Sequence, residues 1–170
     1  MNGRILAAYA TQSGTTSEVA QAIGQSLRSK GAAVDVKPVK SATSLEGYCA
    51  VVVGSGIRYG RWLPAAVEFV KNNRARLSQI PTAFFTVHIL NIDDSPASQA
   101  RREAYTAPVR QVLTPQAEMF FAGRIDFSKL SLLEVILSKA LNVQEQDLRD
   151  WSKIRGWAEG LSPLLLDTAR

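Results

Sequence analysis

Six consecutive residues near the start of the chain could hold an anion. Thr11, Gln12, Ser13, Gly14, Thr15 and Thr16 follow the apolar stretch 4–9, Arg-Ile-Leu-Ala-Ala-Tyr, after the single residue Ala10. Hydroxyls and backbone amides are neutral donors, and Gly14 lets the backbone approach a ligand with no Cβ between. A helix beginning here would add unpaired N–H groups and a partial positive charge. Such a loop suits one terminal phosphate monoester. It has no lysine and no G-x-x-x-x-G-K-[ST] pattern, which excludes a triphosphate loop, and no G-x-G-x-x-G, which excludes a dinucleotide loop. Plain capping is the alternative. Thr15-Thr16-Ser17-Glu18 spells the T-x-x-E box. Capping accounts for Thr15 and Glu18 and leaves Thr11, Ser13 and Gly14 unexplained.

A second run, 54–62, reads Gly-Ser-Gly-Ile-Arg-Tyr-Gly-Arg-Trp. Its glycines predict a pliable loop whose amides can face a flat polar ring. Tyr59 can stack on such a ring, and Arg58 can set a positive charge beside it. These two residues are the candidates for a catalytic role. Trp62 is expected to pack under the following helix.

The elements that must position both runs follow from hydrophobic period. Residues 4–9 read as a buried strand, and 17–30 as a helix with Val19, Ala20, Ile23 and Leu27 on one face, stopped by Gly31. Residues 33–39 alternate as an edge strand, since Pro38 cannot donate to a ladder. The apolar run 48–54 predicts a strand covered on both faces. A helix at 63–77, a strand at 81–90, a helix at 95–113, a strand at 117–123 and helices at 130–141 and 144–161 complete the chain. Strands alternating with helices predict an α/β fold: a five-stranded parallel sheet of order 2-1-3-4-5 with helices on both faces, as one domain over 1–170. In that order a ligand sits beyond the carboxyl ends of strands one and three. The loops after the first, third and fourth strands are therefore the ones to inspect.

Composition narrows the partners. The chain has 170 residues, 46% of them hydrophobic, with a net charge of +5. A basic balance fits an anionic partner or simply solubility. The basic residues form no block, so no nucleic-acid partner is expected. Cys49 is the single cysteine, so no disulfide forms within the chain; it is expected in the core. No signal-type start and no bilayer-length apolar run is seen, and a cytoplasmic location is expected. His88 is the single histidine and has no metal-binding cluster around it, so no metal is expected. Asp93 and Asp94 are expected to cap the helix that follows or to face solvent. Residues 130–141 are read as a helix packed on the sheet; the alternative is an exposed apolar face that meets a membrane or a quinone. A receiver-type phosphorylation switch is excluded, because the ends of the first and third strands carry no acids.

The pattern Thr11-x-Ser13-Gly14-x-Thr16 resembles the T-x-[TS]-G-x-T loop of flavodoxins, which binds the FMN phosphate, and it stands in the same place after the first strand. The phrase Ser-Gly-Ile-Arg-Tyr-Gly at 55–60, the helix containing Phe69-Val70-Lys71 and the strand beginning Pro81-Thr-Ala-Phe resemble one branch of that fold, the bacterial menaquinone-dependent protoporphyrinogen oxidases. The likeness covers most of the chain and implies a flavodoxin-like three-layer sandwich that binds FMN. It implies that Ser55, Gly56, Ile57, Arg58, Tyr59 and Gly60 contact the isoalloxazine ring, and that Val87, His88, Ile89, Leu90 and Asn91 form its other side. It further implies electron flow from a reduced, porphyrinogen-like small molecule to a quinone. Two departures stand out. Gly56 replaces the serine of the oxidase motif, and 124–143 is shorter and less basic than the oxidases' insertion. A flavodoxin-type electron carrier and a cofactor-free binding protein are the alternatives. The basic charge favours the oxidase, since carriers are usually acidic. Peripheral contact with the inner face of the cell membrane and a homodimer are both left open.

Overall fold

Side-chain alternation along three strands decides the architecture of the computed structural model, which describes residues 3–166. In β1 (Arg4–Ala10), Ile5 and Ala7 enter one apolar cluster while Leu6, Ala8 and Ala10 enter another. The same alternation separates Ala50 and Val52 from Val51 and Val53 in β3 (Tyr48–Arg58). It separates Phe85 and Val87 from Phe84 in β5 (Thr82–His88). Strands that are apolar on both faces need helices on both. On one face α1 (Thr15–Ser29) and α6 (Trp151–Gly160) supply Val19, Ile23, Leu27 and Ile154. On the other, α2 (Pro64–Asn72), α3 (Arg74–Leu77) and α4 (Pro96–Arg110) supply Phe69, Val70, Leu77 and Val109.

The sheet holds six strands, in the order β2-β1-β3-β5-β6, with β2 at Ala33–Pro38 and β6 at Ala117–Ala122. These five pair in parallel; the sixth, β4 (Arg61–Trp62), runs antiparallel to the end of β3. The expected count of five is corrected by this added strand. The chain stays extended through Arg58 and turns back at Tyr59 and Gly60, whose φ values of 52° and 72° have the sign pattern of a type I′ hairpin. The expected loop 54–62 is therefore mostly strand. Gly54 serves packing there: a Cβ on it would lie 1.9 Å from Phe85 Cζ.

Other boundaries shift for local reasons. The helix expected over 63–77 breaks at Asn73, whose Nδ2 donates to the Phe69 carbonyl at 2.9 Å and competes with the helical ladder. The last helix starts at Trp151, because Gln146 and Asp147 form β8, paired with β7 (Arg124–Ile125), and Asp150 caps the helix by accepting from the Lys153 amide. A short helix, α7 (Ser162–Leu166), follows. The expected Thr15–Glu18 capping box is absent. Gly14 caps α1 in a left-handed conformation with no side-chain bond, and Glu18 pairs with Arg149 instead. Ser95 caps α4, and Asp93 supports it by accepting from the Ser95 amide and the Ser98 hydroxyl. Cys49 is partly buried against the first cluster.

The largest correction concerns α5 (Leu132–Ala140). It has no buried residue, and Leu132, Leu133, Ile136 and Leu137 are exposed, as is Leu141 just beyond it. The helix expected on the sheet instead stands at its carboxyl end.

Candidate functional site

Strand register brings the two runs together. Ala10 pairs with Ser55, Gly56 with Val87 and His88 with Ala122. The chain thus leaves β1, β3, β5 and β6 at one level, beside the point where the connections from β1 diverge. A cavity of about 300 Å³ opens there. Thr11, Gln12, Ser13, Thr15 and Thr16 line it from the first loop, Gly56, Ile57, Arg58 and Tyr59 from the end of β3, and Val87, His88 and Ile89 from the end of β5.

Five expected residues lie outside the lining. Gly14 shapes the loop: at φ 92° it caps α1, and its amide donates to Thr11 Oγ1 at 3.0 Å. Ser55 is fully buried, its hydroxyl donating to the Gly56 carbonyl and accepting from the Leu63 amide. Gly60 is the second turn residue. Leu90 points to solvent at 60% exposure. Asn91 turns away to donate to the Tyr105 hydroxyl and to accept from Arg101 and Arg102.

The donor set of the first loop fits a phosphate. No side chain caps α1, so the amides of its first turn lack side-chain partners. Thr15 and Thr16 are buried against the cavity, and the loop from Thr11 to Thr16 carries no carboxylate. Thr16 also explains Gly56: a Cβ there would come within 3.1 Å of Thr16 Oγ1.

The ring-sized part of the cavity is lined differently. Tyr59 is 80% exposed, in a left-handed conformation, with the Arg58 guanidinium 5.1 Å from its ring centroid. His88 is buried between Tyr105 and Phe120, and its Nδ1–H donates to the Leu90 carbonyl at 2.8 Å. Burial pushes its pKa below the ordinary imidazole value, with Arg102 and Lys153 adding to the effect. It stands neutral at pH 7 with Nε2 unprotonated. Trp62 is buried as expected, and its Nε1–H donates to Thr86 Oγ1 at 2.8 Å.

One wall was not foreseen. Gly123, Arg124, Asp126, Leu130, Glu134 and Leu137 also line the cavity. Gly123 is where the chain leaves β6; a Cβ there would meet Val87 Cγ1 at 2.8 Å. Arg124 pairs with Asp126 at 3.2 Å, and its Nε is buried with no partner among the described residues. Glu134 belongs to α5. Its carboxylate closes a capping box with Ser131, accepts from Gln12 Nε2 and lies 3.7 Å from the Arg58 guanidinium. The Ser131 backbone amide, then its hydroxyl, then Gln12 and Arg58 hold this carboxyl below its ordinary range. No local pattern in the chain links Glu134 to Gln12, 122 positions away.

Comparisons with known proteins bear on the fold and the family. Protoporphyrinogen IX dehydrogenase [quinone] of Escherichia coli K12 is 35% identical over 89 residues, which cover 51% of this chain and 49% of that protein. The match thus spans about half the length of that relative. A protein of the same name from Leishmania major is 26% identical over 96% of this chain and 76% of its own. An archaeal flavodoxin shares the fold at a TM-score of 0.56 and 17% identity, covering 94% of this chain and 96% of its own. The flavodiiron core of Synechocystis Flv1 does so at 0.64 and 12%, covering 99% of this chain and 37% of its own. A family model for the flavodoxin domain matches residues 6–150. The chain belongs to the flavodoxin-domain family, a flavin-binding fold, and is homologous to quinone-dependent protoporphyrinogen dehydrogenases.

Proposed function

We propose that the protein is an FMN-dependent oxidoreductase that passes electrons from a reduced, porphyrinogen-like substrate to a quinone. The observation that carries this reading is the cavity itself, where a hydroxyl loop at a helix start with no side-chain cap shares one space with the ends of β3 and β5. FMN would supply the redox chemistry, and the substrate loses the electrons that reduce the quinone to a quinol. The chain's residues bind and tune. Thr11, Ser13, Thr15 and Thr16 would hold the phosphate, while Gly56 to Tyr59 and Val87 to Ile89 would border the ring. Arg58 would place a cation near the ring edge that gains negative charge. His88, neutral and buried, would exclude water and add no charge. The Escherichia coli and Leishmania major relatives support the substrate class.

Membrane contact belongs to the same reading. The exposed large apolar side chains among the described residues are Tyr59, Ile89, Leu90, Ile92 and five on or beside α5. All stand on segments around the cavity mouth. Arg58, Lys129 and Lys139 lie among them, suiting an anionic leaflet in which a quinone dissolves. Cosedimentation with anionic vesicles, absent with neutral ones, is the expected result.

The deciding experiment is incubation of purified protein with protoporphyrinogen and menadione, after release and identification of the bound flavin. Porphyrin fluorescence above a no-enzyme control supports the assignment. Bound FMN with no porphyrin formed refutes the substrate and leaves the cofactor standing. Thr16→Glu should abolish flavin retention.

A further inference from the structure

Among the described residues, every hydrogen bond and ion pair that ties α5 to the sheet and its loops passes through one side chain. Glu134 accepts from Gln12 Nε2 in the loop after β1 and faces Arg58 at the end of β3. The remaining polar contacts of α5 are local, to Ser131 and within 131–143. The helix buries none of its residues, yet Leu137 and Ser138 line the cavity beside Glu134. A helix with no core contact and one polar anchor is held by that anchor. The anchor's two partners are residues of the first and second sequence runs, on separate strands' ends.

We propose that Glu134 is a positioning residue: it clamps Gln12 and Arg58 across the cavity mouth and so latches α5 as a lid over the bound flavin. The proposal rests on the flavin reading and adds to it the control of entry and release. With the clamp closed, the Arg58 guanidinium is held at the rim and α5 walls the cavity. With it broken, α5 swings away and Arg58 is free to turn to solvent. The ion pair is partly exposed, so the clamp weakens as salt rises.

Two measurements test it, and one needs no flavin. Hydrogen exchange over residues 132–140 reports the latch directly. Glu134→Ala should lose protection there, while Ser131→Ala, which removes the cap and keeps the clamp, should lose less. Flavin release, followed by recovery of FMN fluorescence on dilution, should quicken roughly fivefold to thirtyfold in Glu134→Ala, the range of one charge-assisted bond with an exposed ion pair. Glu134→Gln should fall between, since its amide oxygen still accepts from Gln12 and no longer attracts Arg58. Protection equal to wild type in Glu134→Ala overturns the latch. So does equal loss in Ser131→Ala, which would leave Glu134 only a helix cap. Lost protection with unchanged release overturns the lid. Wild-type protein that takes up no FMN overturns the flavin reading and the lid's role with it, while the exchange data still tell whether Glu134 holds α5.

Discussion

Replacing Ser13 with Asp sets two electrostatic effects against each other. Ser13 lines the cavity just before α1, is half-buried, and its hydroxyl has no hydrogen-bond partner among the described residues. A carboxylate there sits next to the positive end of a fifteen-residue helix. Without ligand it should stabilise that helix by about 0.3–1 kcal/mol, raising Tm by up to about 3 °C. With ligand it faces a phosphate carrying about −1.5 to −2 charges. Two unit charges about 5 Å apart repel by ~0.8 kcal/mol in bulk water and by ~3 kcal/mol at an effective dielectric of 20. A rim position lies between these limits and the phosphate carries more than one charge, so the loss in FMN affinity at low salt should be at least about fivefold and on the order of a hundredfold. Half-molar salt should recover much of it, because the screening length shrinks below the charge separation. The assay is fluorescence titration of apoprotein with FMN, paired with thermal unfolding of the apo form. A Kd within threefold of wild type at low salt, with the Tm unchanged or raised, would remove the phosphate from this loop.

Three further outcomes follow from packing and charge. Trp62→Phe removes a buried donor and leaves Thr86 Oγ1 without its partner, so urea unfolding should show a loss of about 2–4 kcal/mol, part of it restored by adding Thr86→Val. Gly54→Ala drives a methyl to 1.9 Å from the Phe85 ring, so the protein should be insoluble or lose at least about 3 kcal/mol, with Phe85→Leu a partial rescue read by Tm. The Arg149 guanidinium holds Asp147 down to about 2, so its contribution is complete above the usual carboxylate value near 4 and is lost as pH falls from there towards 2; in Asp147→Asn the decline of Tm across that window should flatten.

The legible parts of this chain are those whose signal is local. Continuous apolar runs in β1, β3 and β5 reflect burial on both faces, so strand positions and the parallel order could be read without partners. The hydroxyl loop was legible as part of a site for the same reason: Thr11, Ser13, Thr15 and Thr16 cluster within six residues after a strand, and the structure lines a cavity with them. The misreadings share one cause. Glycines at 54 and 56 look like loop residues, yet one makes room for the Phe85 ring and the other for the Thr16 hydroxyl, both distant in sequence. Leu132 and Leu133 look like core residues, because apolar composition does not say whether a face is covered.

Two stretches of this chain carry the same capping signature, and only tertiary partners tell them apart. Thr15-x-x-Glu18 and Ser131-x-x-Glu134 are equivalent as strings. At the first, a left-handed Gly14 takes the cap, and Glu18 is drawn to Arg149, which Asp147 orients through its own hydrogen bonds. That leaves the amides at the start of α1 without a side-chain carboxylate partner, although Glu18 itself stands in the first turn. At the second, the box forms in full, and the same glutamate reaches the residues that flank the cavity. The chain therefore leaves the amides at the start of α1 without a carboxylate partner and spends the second carboxylate on the Gln12 side chain and on the cation expected beside the ring. Exchanging the two roles, by freeing Glu18 through Arg149→Ala, should return Glu18 to the helix start and weaken FMN binding with Glu134 untouched. Unchanged FMN affinity in that variant would show that the charge at the start of α1 does not matter to the ligand.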